Sequence, residues 1–368
     1  MFRDVYRGKR VLVTGHTGFK GSWLALWLLE LGAEVAGFSK CLPSDPCHFD
    51  ATGLKKKLTD YRGDIRNLGA LEKVFKKFRP QIVFHLAAQP IVRESYDFPK
   101  LTFDTNLGGT VNILECVKTF PKVEAAVIIT SDKCYENVGW DQGYRETDRL
   151  GGEDPYSASK ACAEIASRAY ILSYFSQSEG PRVTTTRAGN VIGGGDWAQD
   201  RIIPDCVRAW SQGKIPIIRK PDATRPWQHV LEPLSGYLWL GSCLLKDPKL
   251  VGEPFNFGPK CNEVKSVREL VDLFLRYWGE GAWNHEPTEG GKKEAALLQL
   301  SCDKALKLIS WRPVLSFNET VEMTAQWYKK YYKGRGDYYD FACRQIDQYI
   351  QKAVAVGQPW VSRAGDKK

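Results

Sequence analysis

The sequence predicts an α/β fold, a doubly wound parallel sheet with a smaller, discontinuous C-terminal lobe. Three observations point to it. Short apolar runs alternate with amphipathic helical stretches through the first half, a glycine-rich string joins the first run to the first helix, and the regularity breaks after about Ala188. Parallel neighbours need helical crossovers, and helices on both faces of a sheet leave its strands apolar throughout.

In chain order, residues 10–14 read as a buried strand, 19–31 as a helix and 34–38 as a second strand. A third strand precedes Gly63-Asp64-Ile65-Arg66. Then come a helix over 68–78, a strand over 82–86, a helix over 109–120 and a strand over 125–130. A helix over 155–175 opens on Asp154 as cap and Pro155 at its first position, and a strand follows over 183–187. Beyond Ala188, Gly193-Gly194-Gly195, Pro204, Pro216, Pro221, Pro226 and Pro233 punctuate short segments, with helices over 233–245 and 267–278. The division expected is a nucleotide-binding half over 1–187, with a return segment near 225–250, and a ligand-binding lobe drawn mainly from 188–368.

The chain has 368 residues, enough for one large core and a smaller partner. Its ten cysteines are scattered without a C-x-x-C pair. That argues against a metal site and for a reducing, cytoplasmic setting. Met1 to Arg10 has no signal-type apolar segment, and the apolar run 23–29 is too short to span a bilayer. The net charge of +9 comes with only two basic runs, Lys55-Lys56-Lys57 and Lys367-Lys368, neither interleaved with aromatics. A small anion such as a nucleotide diphosphate is the expected partner, with no nucleic acid and no membrane.

Between first strand and first helix lies Thr14-Gly15-His16-Thr17-Gly18-Phe19-Lys20-Gly21. Gly15, Gly18 and Gly21 let the backbone turn tightly and approach a pyrophosphate at the helix N-terminus, the Rossmann-type arrangement for a nicotinamide dinucleotide. The acid that ends the second strand of that fingerprint is missing. Here Ser39 suits a ribose hydroxyl and Lys40 a 2′-phosphate, so NAD and NADP both remain open. Asp64 suits either the adenine edge or a plain turn. Thr17, Phe19, Ile65 and Ala87 complete the expected cofactor contacts.

Tyr156 and Lys160, four residues apart on a helix, share one face. With a lysine ammonium and a nicotinamide cation nearby, the phenolate of Tyr156 is favoured, so that it is expected to take a hydroxyl proton while hydride leaves carbon. Ser131, Asp132 and Lys133 follow a strand end, where ligands of an open sheet bind. They read as a catalytic set or as a capped turn with a solvated pair.

Together these pieces resemble the extended short-chain dehydrogenase/reductases, and among them the nucleotide-sugar 4,6-dehydratases. The likeness runs over nearly the whole chain. It includes Phe84-His85-Leu86-Ala87-Ala88-Gln89-Pro90, Ser131-Asp132-Lys133-Cys134-Tyr135, Gly193-Gly194-Gly195-Asp196-Trp197 and Arg225-Pro226-Trp227-Gln228-His229-Val230. The resemblance implies a closed redox cycle. Tyr156 deprotonates the sugar 4-hydroxyl as hydride passes from C4 to NAD. The 4-ketone acidifies C5, a base removes that proton, and an acid protonates the departing 6-hydroxyl. The cofactor then returns hydride to C6. Ser131 would bond the C4 oxygen, Asp132 would be the acid, and Lys160 would hold the nicotinamide ribose. Lys133 stands where dTDP-sugar relatives carry glutamate, as in the subfamily acting on a cytidine diphosphate sugar. It serves as the C5 base or positions water.

Gln89, Asn190, Asp196, Arg201, Arg225 and His229 are the expected substrate contacts, with Arg225 suited to bidentate phosphate bonding. His85 is expected to brace the loop beside the cofactor. A homodimer or dimer of dimers, through the helix bearing Tyr156, follows from the resemblance. A 4-epimerase would need Tyr156 and Lys160 without Asp132, and a non-catalytic dinucleotide sensor would need neither pair.

Overall fold

The computed structural model describes residues 1–176, 180–260, 263–286 and 298–361. Lys367-Lys368 and Cys261 lie outside them. The strands of the main sheet are β1 (Arg10–Thr14), β2 (Glu34–Ser39), β3 (Thr59–Arg62), β4 (Ile82–His85), β5 (Ala125–Ile129), β6 (Arg182–Arg187) and β7 (Phe255–Asn256). This 7-stranded sheet runs β7-β6-β5-β4-β1-β2-β3, and every pairing is parallel. The order switches direction between β1 and β4, which places a crevice at their C-terminal ends.

Side chains explain the two-faced burial. On β1, Val11 and Val13 join one apolar core while Leu12 joins the other. The longer helices of the first half are α1 (Phe19–Glu30), α2 (Leu68–Phe78), α3 (Gly109–Thr119) and α4 (Pro155–Tyr170). The helix expected over 155–175 widens at Ile171–Phe175 into a π-helical turn. Asp154 caps α4 by accepting from Ser157 N, as its sequence position predicts.

The C-terminal half holds α5 (Ile202–Ser211), α6 (Leu231–Leu244), α7 (Val267–Trp278), α8 (Phe317–Lys333) and α9 (Tyr338–Ala355). Three two-residue strand pairs stitch its loops: Val191–Ile192 with Gln228–His229, Thr224–Arg225 with Lys265–Ser266, and Ile217–Ile218 with Asn284–His285. After its excursions the chain comes back to the sheet, where α6 supplies one core face and β7 pairs with β6. It returns again at its end: Tyr349 of α9 meets Trp27 of α1 edge-on at 5.9 Å, and Trp360 stacks on Phe2 at 5.0 Å. Neither β7 nor α9 was predicted. Among the described residues all cysteines are free, no cluster of metal-ligating side chains occurs, and no helix is long and apolar enough to cross a membrane.

Candidate active site

The glycine string spans the crevice between Thr14, which ends β1, and Phe19, which begins α1. Gly15 turns with φ +74°, and a Cβ there would lie 2.7 Å from Ala87 N. Only glycine fits. Gly18 caps α1 with no side-chain hydrogen bond, and no acid sits in the first turn. The first amides of α1 are therefore left to a phosphate, and the residues present fit a dinucleotide pyrophosphate. Around the loop, Thr17 N donates to Ser39 Oγ at 3.4 Å and Ala87 N donates to Thr14 Oγ1 at 3.2 Å. Ile65 is buried under α3, where its carbonyl accepts from Asn112 Nδ2 at 3.0 Å.

Asp64 takes up the turn role. Arg66 grips it with bonds of 2.9 and 2.6 Å, Lys40 approaches to 3.4 Å, and these cations hold its carboxyl well below the usual range. An unpredicted acid, Asp60 on β3, accepts from Arg62 and lies 2.9 Å from His16 Nε2. Burial keeps that histidine's pKa low, at about 4, despite Asp60. His85 braces the crevice as expected: Nδ1 lies 2.7 Å from Thr14 Oγ1 and Nε2 lies 3.1 Å from Thr110 Oγ1.

A cavity of about 570 Å³ opens beside this loop and brings the catalytic candidates together. Ser131, Asp132, Lys133 and Tyr156 line it, and Lys160 is buried behind them. Ser131 caps the short turn Asp132–Cys134, donating to Asp132 Oδ1 at 2.9 Å, while Lys133 N donates to the same oxygen at 2.9 Å. The other carboxylate oxygen accepts from Asn190 Nδ2 at 3.5 Å and lies so near Gly189 that a Cβ would fall 1.8 Å away.

Burial pushes the Tyr156 phenol up to about 12, and the groups pulling it down are Ser131, by a hydrogen bond, and the Arg201 guanidinium. Lys160 Nζ donates to Ile129 O at 3.4 Å. Burial and the ammonium of Lys20 lower Lys160 itself to about 8. Lys20 was quoted in the glycine string but given no role. It lines the cavity from the first turn of α1, its pKa lowered to about 8 by burial and by Arg201. Its place as the second residue of α1, beside the glycine string, was the available signal.

Of the expected substrate contacts, Asn190, Asp196, Arg201 and Arg225 line the cavity. Arg201 Nη1 donates to Asp196 Oδ2 at 2.6 Å. Two expectations are corrected. His229 is fully buried, its ring edge-on to Trp23 at 6.5 Å and its Nδ1 accepting from Leu231 N at 3.3 Å, so it packs the fold instead of reaching a ligand. Gln89 lies behind the wall, its Nε2 donating to Ile91 O at 2.9 Å and its backbone N to Asn106 Oδ1 at 2.8 Å. Arg93 and Arg219, which line the mouth and share Asp200 at 2.7 and 3.7 Å, carried no sequence signal.

A parallel Rossmann sheet with a Tyr–Lys helix facing a Ser-Asp-Lys turn defines an extended short-chain dehydrogenase/reductase. Within that class, residues 12–324 match the family model described as GDP-mannose 4,6 dehydratase, and the chain belongs to that family. It is 44% identical over 352 residues to CDP-glucose 4,6-dehydratase of Salmonella typhimurium, covering 95% of this chain and 98% of the relative. UDP-glucuronate 4-epimerase of Thermodesulfobacterium geofontis is 26% identical, with 87% and 96% covered. Among solved structures, UDP-glucose 4-epimerase of Thermus thermophilus in complex with NAD aligns with TM-score 0.74 at 26% identity, covering 87% of this chain and 99% of that one. The NAD complex of dTDP-glucose 4,6-dehydratase from Bacillus anthracis aligns with TM-score 0.73 at 24% identity, with 91% and 100% covered, a likeness of fold.

Proposed function

We propose that the protein converts CDP-glucose to CDP-4-dehydro-6-deoxy-glucose and water, as an NAD-dependent hydro-lyase of deoxysugar biosynthesis. The observation that carries this reading is the Asp132 carboxylate and Lys133 in the same cavity as Tyr156. The near-full-length likeness to a CDP-glucose 4,6-dehydratase supports the substrate. NAD, when bound, would supply the hydride acceptor and donor of the cycle and a positive charge that favours a Tyr156 phenolate. The amides at the start of α1 would hold its pyrophosphate, and Ser39 its adenosine ribose. NAD suits the site better than NADP, since Lys40, Arg62 and Arg66 are already paired with Asp64 and Asp60.

Tyr156 takes the proton of the sugar 4-hydroxyl, and Ser131 bonds the C4 oxygen. Lys133 removes the C5 proton and gives one back to C5 when hydride returns to C6. Asp132 gives its proton to the 6-hydroxyl, which leaves as water. Arg225, with Asn190, binds the diphosphate, and Arg201 keeps positive charge beside Tyr156. A cytoplasmic homodimer fits the exposed apolar stripe along α4 and the turn after it, Ile165, Leu172 and Tyr174.

The test is a panel of CDP-, dTDP-, UDP- and GDP-sugars with product analysis. CDP-glucose should give a 4-keto product that absorbs in alkali. Interconversion of glucose and galactose nucleotides without a keto product would overturn the reading in favour of an epimerase.

A further inference from the structure

Two hydroxyls bracket the catalytic turn, and one buried ion pair holds both. Thr130, just before Ser131, donates to Glu164 Oε1. Tyr135, just after Cys134, accepts from Arg187 Nη1 at 2.7 Å and donates to Asn256 Oδ1 at 2.8 Å. Glu164 and Arg187 meet at 2.9 Å with each side chain only 3% exposed. Thr185 adds a bond of 2.7 Å to Glu164, and the Arg187 guanidinium lies 4.8 Å over the Tyr135 ring. Burial pushes Glu164 up, but Arg187 and the two hydroxyls outweigh it and keep the carboxyl below its ordinary value. The pair is ionised.

Its location matters as much as its strength. Glu164 sits on α4, one helical turn past Lys160 and two past Tyr156. The turn with Asp132 and Lys133 leaves β5, and Arg187 ends β6. A buried ion pair adds little stability over a well-packed apolar pair of the same volume. What an apolar pair would lack is the set of directed bonds to Thr130 and Tyr135.

We infer that the Glu164–Arg187 pair is a positioning device that sets Asp132 and Lys133 against a sugar held at Tyr156. This rests on the dehydratase cycle proposed above. Oxidation at C4 takes its proton acceptor and Lys160 from α4, whose own backbone fixes their spacing, and draws only the Ser131 hydrogen bond from the turn. Elimination needs a base at C5 and an acid at O6, both delivered by the tethered turn. A misplacement of about 1 Å costs on the order of 100-fold in rate.

Thr130→Val and Tyr135→Phe each cut one tether while keeping shape and sparing the ion pair, so the test does not depend on whether Glu164→Gln folds. In single turnovers of NAD-loaded enzyme with CDP-glucose, fluorescence of bound NADH reads oxidation and alkaline absorbance reads the 4-keto product. C4 oxidation should stay within about twofold of wild type while product formation slows roughly 10- to 100-fold, so that NADH accumulates. Solvent deuterium incorporation at C5 should fall with product formation. Equal slowing of both steps alongside a lowered melting temperature would mean a merely structural role and would overturn the inference alone. A wild-type enzyme that makes no keto product from CDP-glucose would overturn the functional reading, and this inference with it.

Discussion

Tyr156 and Lys160 ride four residues apart on a 16-residue helix, whereas Ser131, Asp132 and Lys133 crowd the start of a 3-residue turn. The helix sets the spacing of the first pair from within. The turn borrows its geometry from distant residues: Gly189 makes room for the carboxylate, Asn190 bonds it, and Glu164 and Arg187 tether its flanks. In the proposed cycle the proton acceptor and its lysine are therefore placed locally in sequence, and the elimination acid and base are not. If the proposed cycle is right, the two should fail separately.

The largest effect is expected where the helix pair is broken. Tyr156→Phe removes the proton acceptor for the 4-hydroxyl, a contribution worth about 100- to 10,000-fold. Neither bound NADH nor product should appear on mixing with substrate. NADH building up at the wild-type rate would remove Tyr156 from the role. Breaking the turn should look different. Asp132→Asn keeps the shape but has no acidic proton for O6, so C4 should oxidise while water loss slows about 100-fold or more. Solvent deuterium exchange at C5 without elimination would place the block at the departing hydroxyl. Unchanged turnover would refute it.

The same contrast decides what the sequence made legible. β1, α2 and α7 follow from apolar periodicity and stand at the residues predicted, because local pattern and burial agree there. Helix α8 was missed although Ser316 and Glu319 form a capping box at its start, a readable signal passed over. β7 has only two residues, Phe255 and Asn256, and exists because β6 offers an edge; no period can reveal it. In the site, the Tyr156/Lys160 spacing and the glycine string were readable directly. His229 was misplaced because a motif says that a residue matters without saying whether it faces a ligand or Trp23. The Glu164–Arg187 pair joins residues 23 apart through burial alone.

A smaller effect than either catalytic substitution is expected at Gly189. Its neighbour Asp132 Oδ2 would lie 1.8 Å from an added Cβ, so Gly189→Ala must displace the carboxylate. Roughly tenfold slower elimination is expected, with C4 oxidation near the wild-type rate. Equal loss of both steps would show that the displacement spreads to the helix and that the two regions are not independent.

The smallest effect is a displaced pH limb, and it probes a charge that lies between the regions. Lys20 faces both Lys160 of the helix and Asp132 of the turn. Burial first, and then the Lys20 ammonium, bring Lys160 down to about 8 from 10.5, and Lys20 itself stands at about 8. In the free enzyme both are ammonium below that pH and lose their protons as it rises. If Lys160 must be charged to hold the ribose, kcat/KM should fall on an alkaline limb near pH 8, steepened by two coupled titrations. Lys20→Met removes one titrating group and its repulsion but leaves the burial of Lys160. The limb should then move to higher pH and become a single titration. Stability carries the same signature with its own sign. Both folded-state values lie below 10.5, so the unfolded chain binds more protons between about 8 and 10.5, and wild-type stability should rise with pH across that window. The rise should be shallower in Lys20→Met. An unmoved limb would mean that the Lys160 value is set by burial alone, with no part played by the Lys20 ammonium.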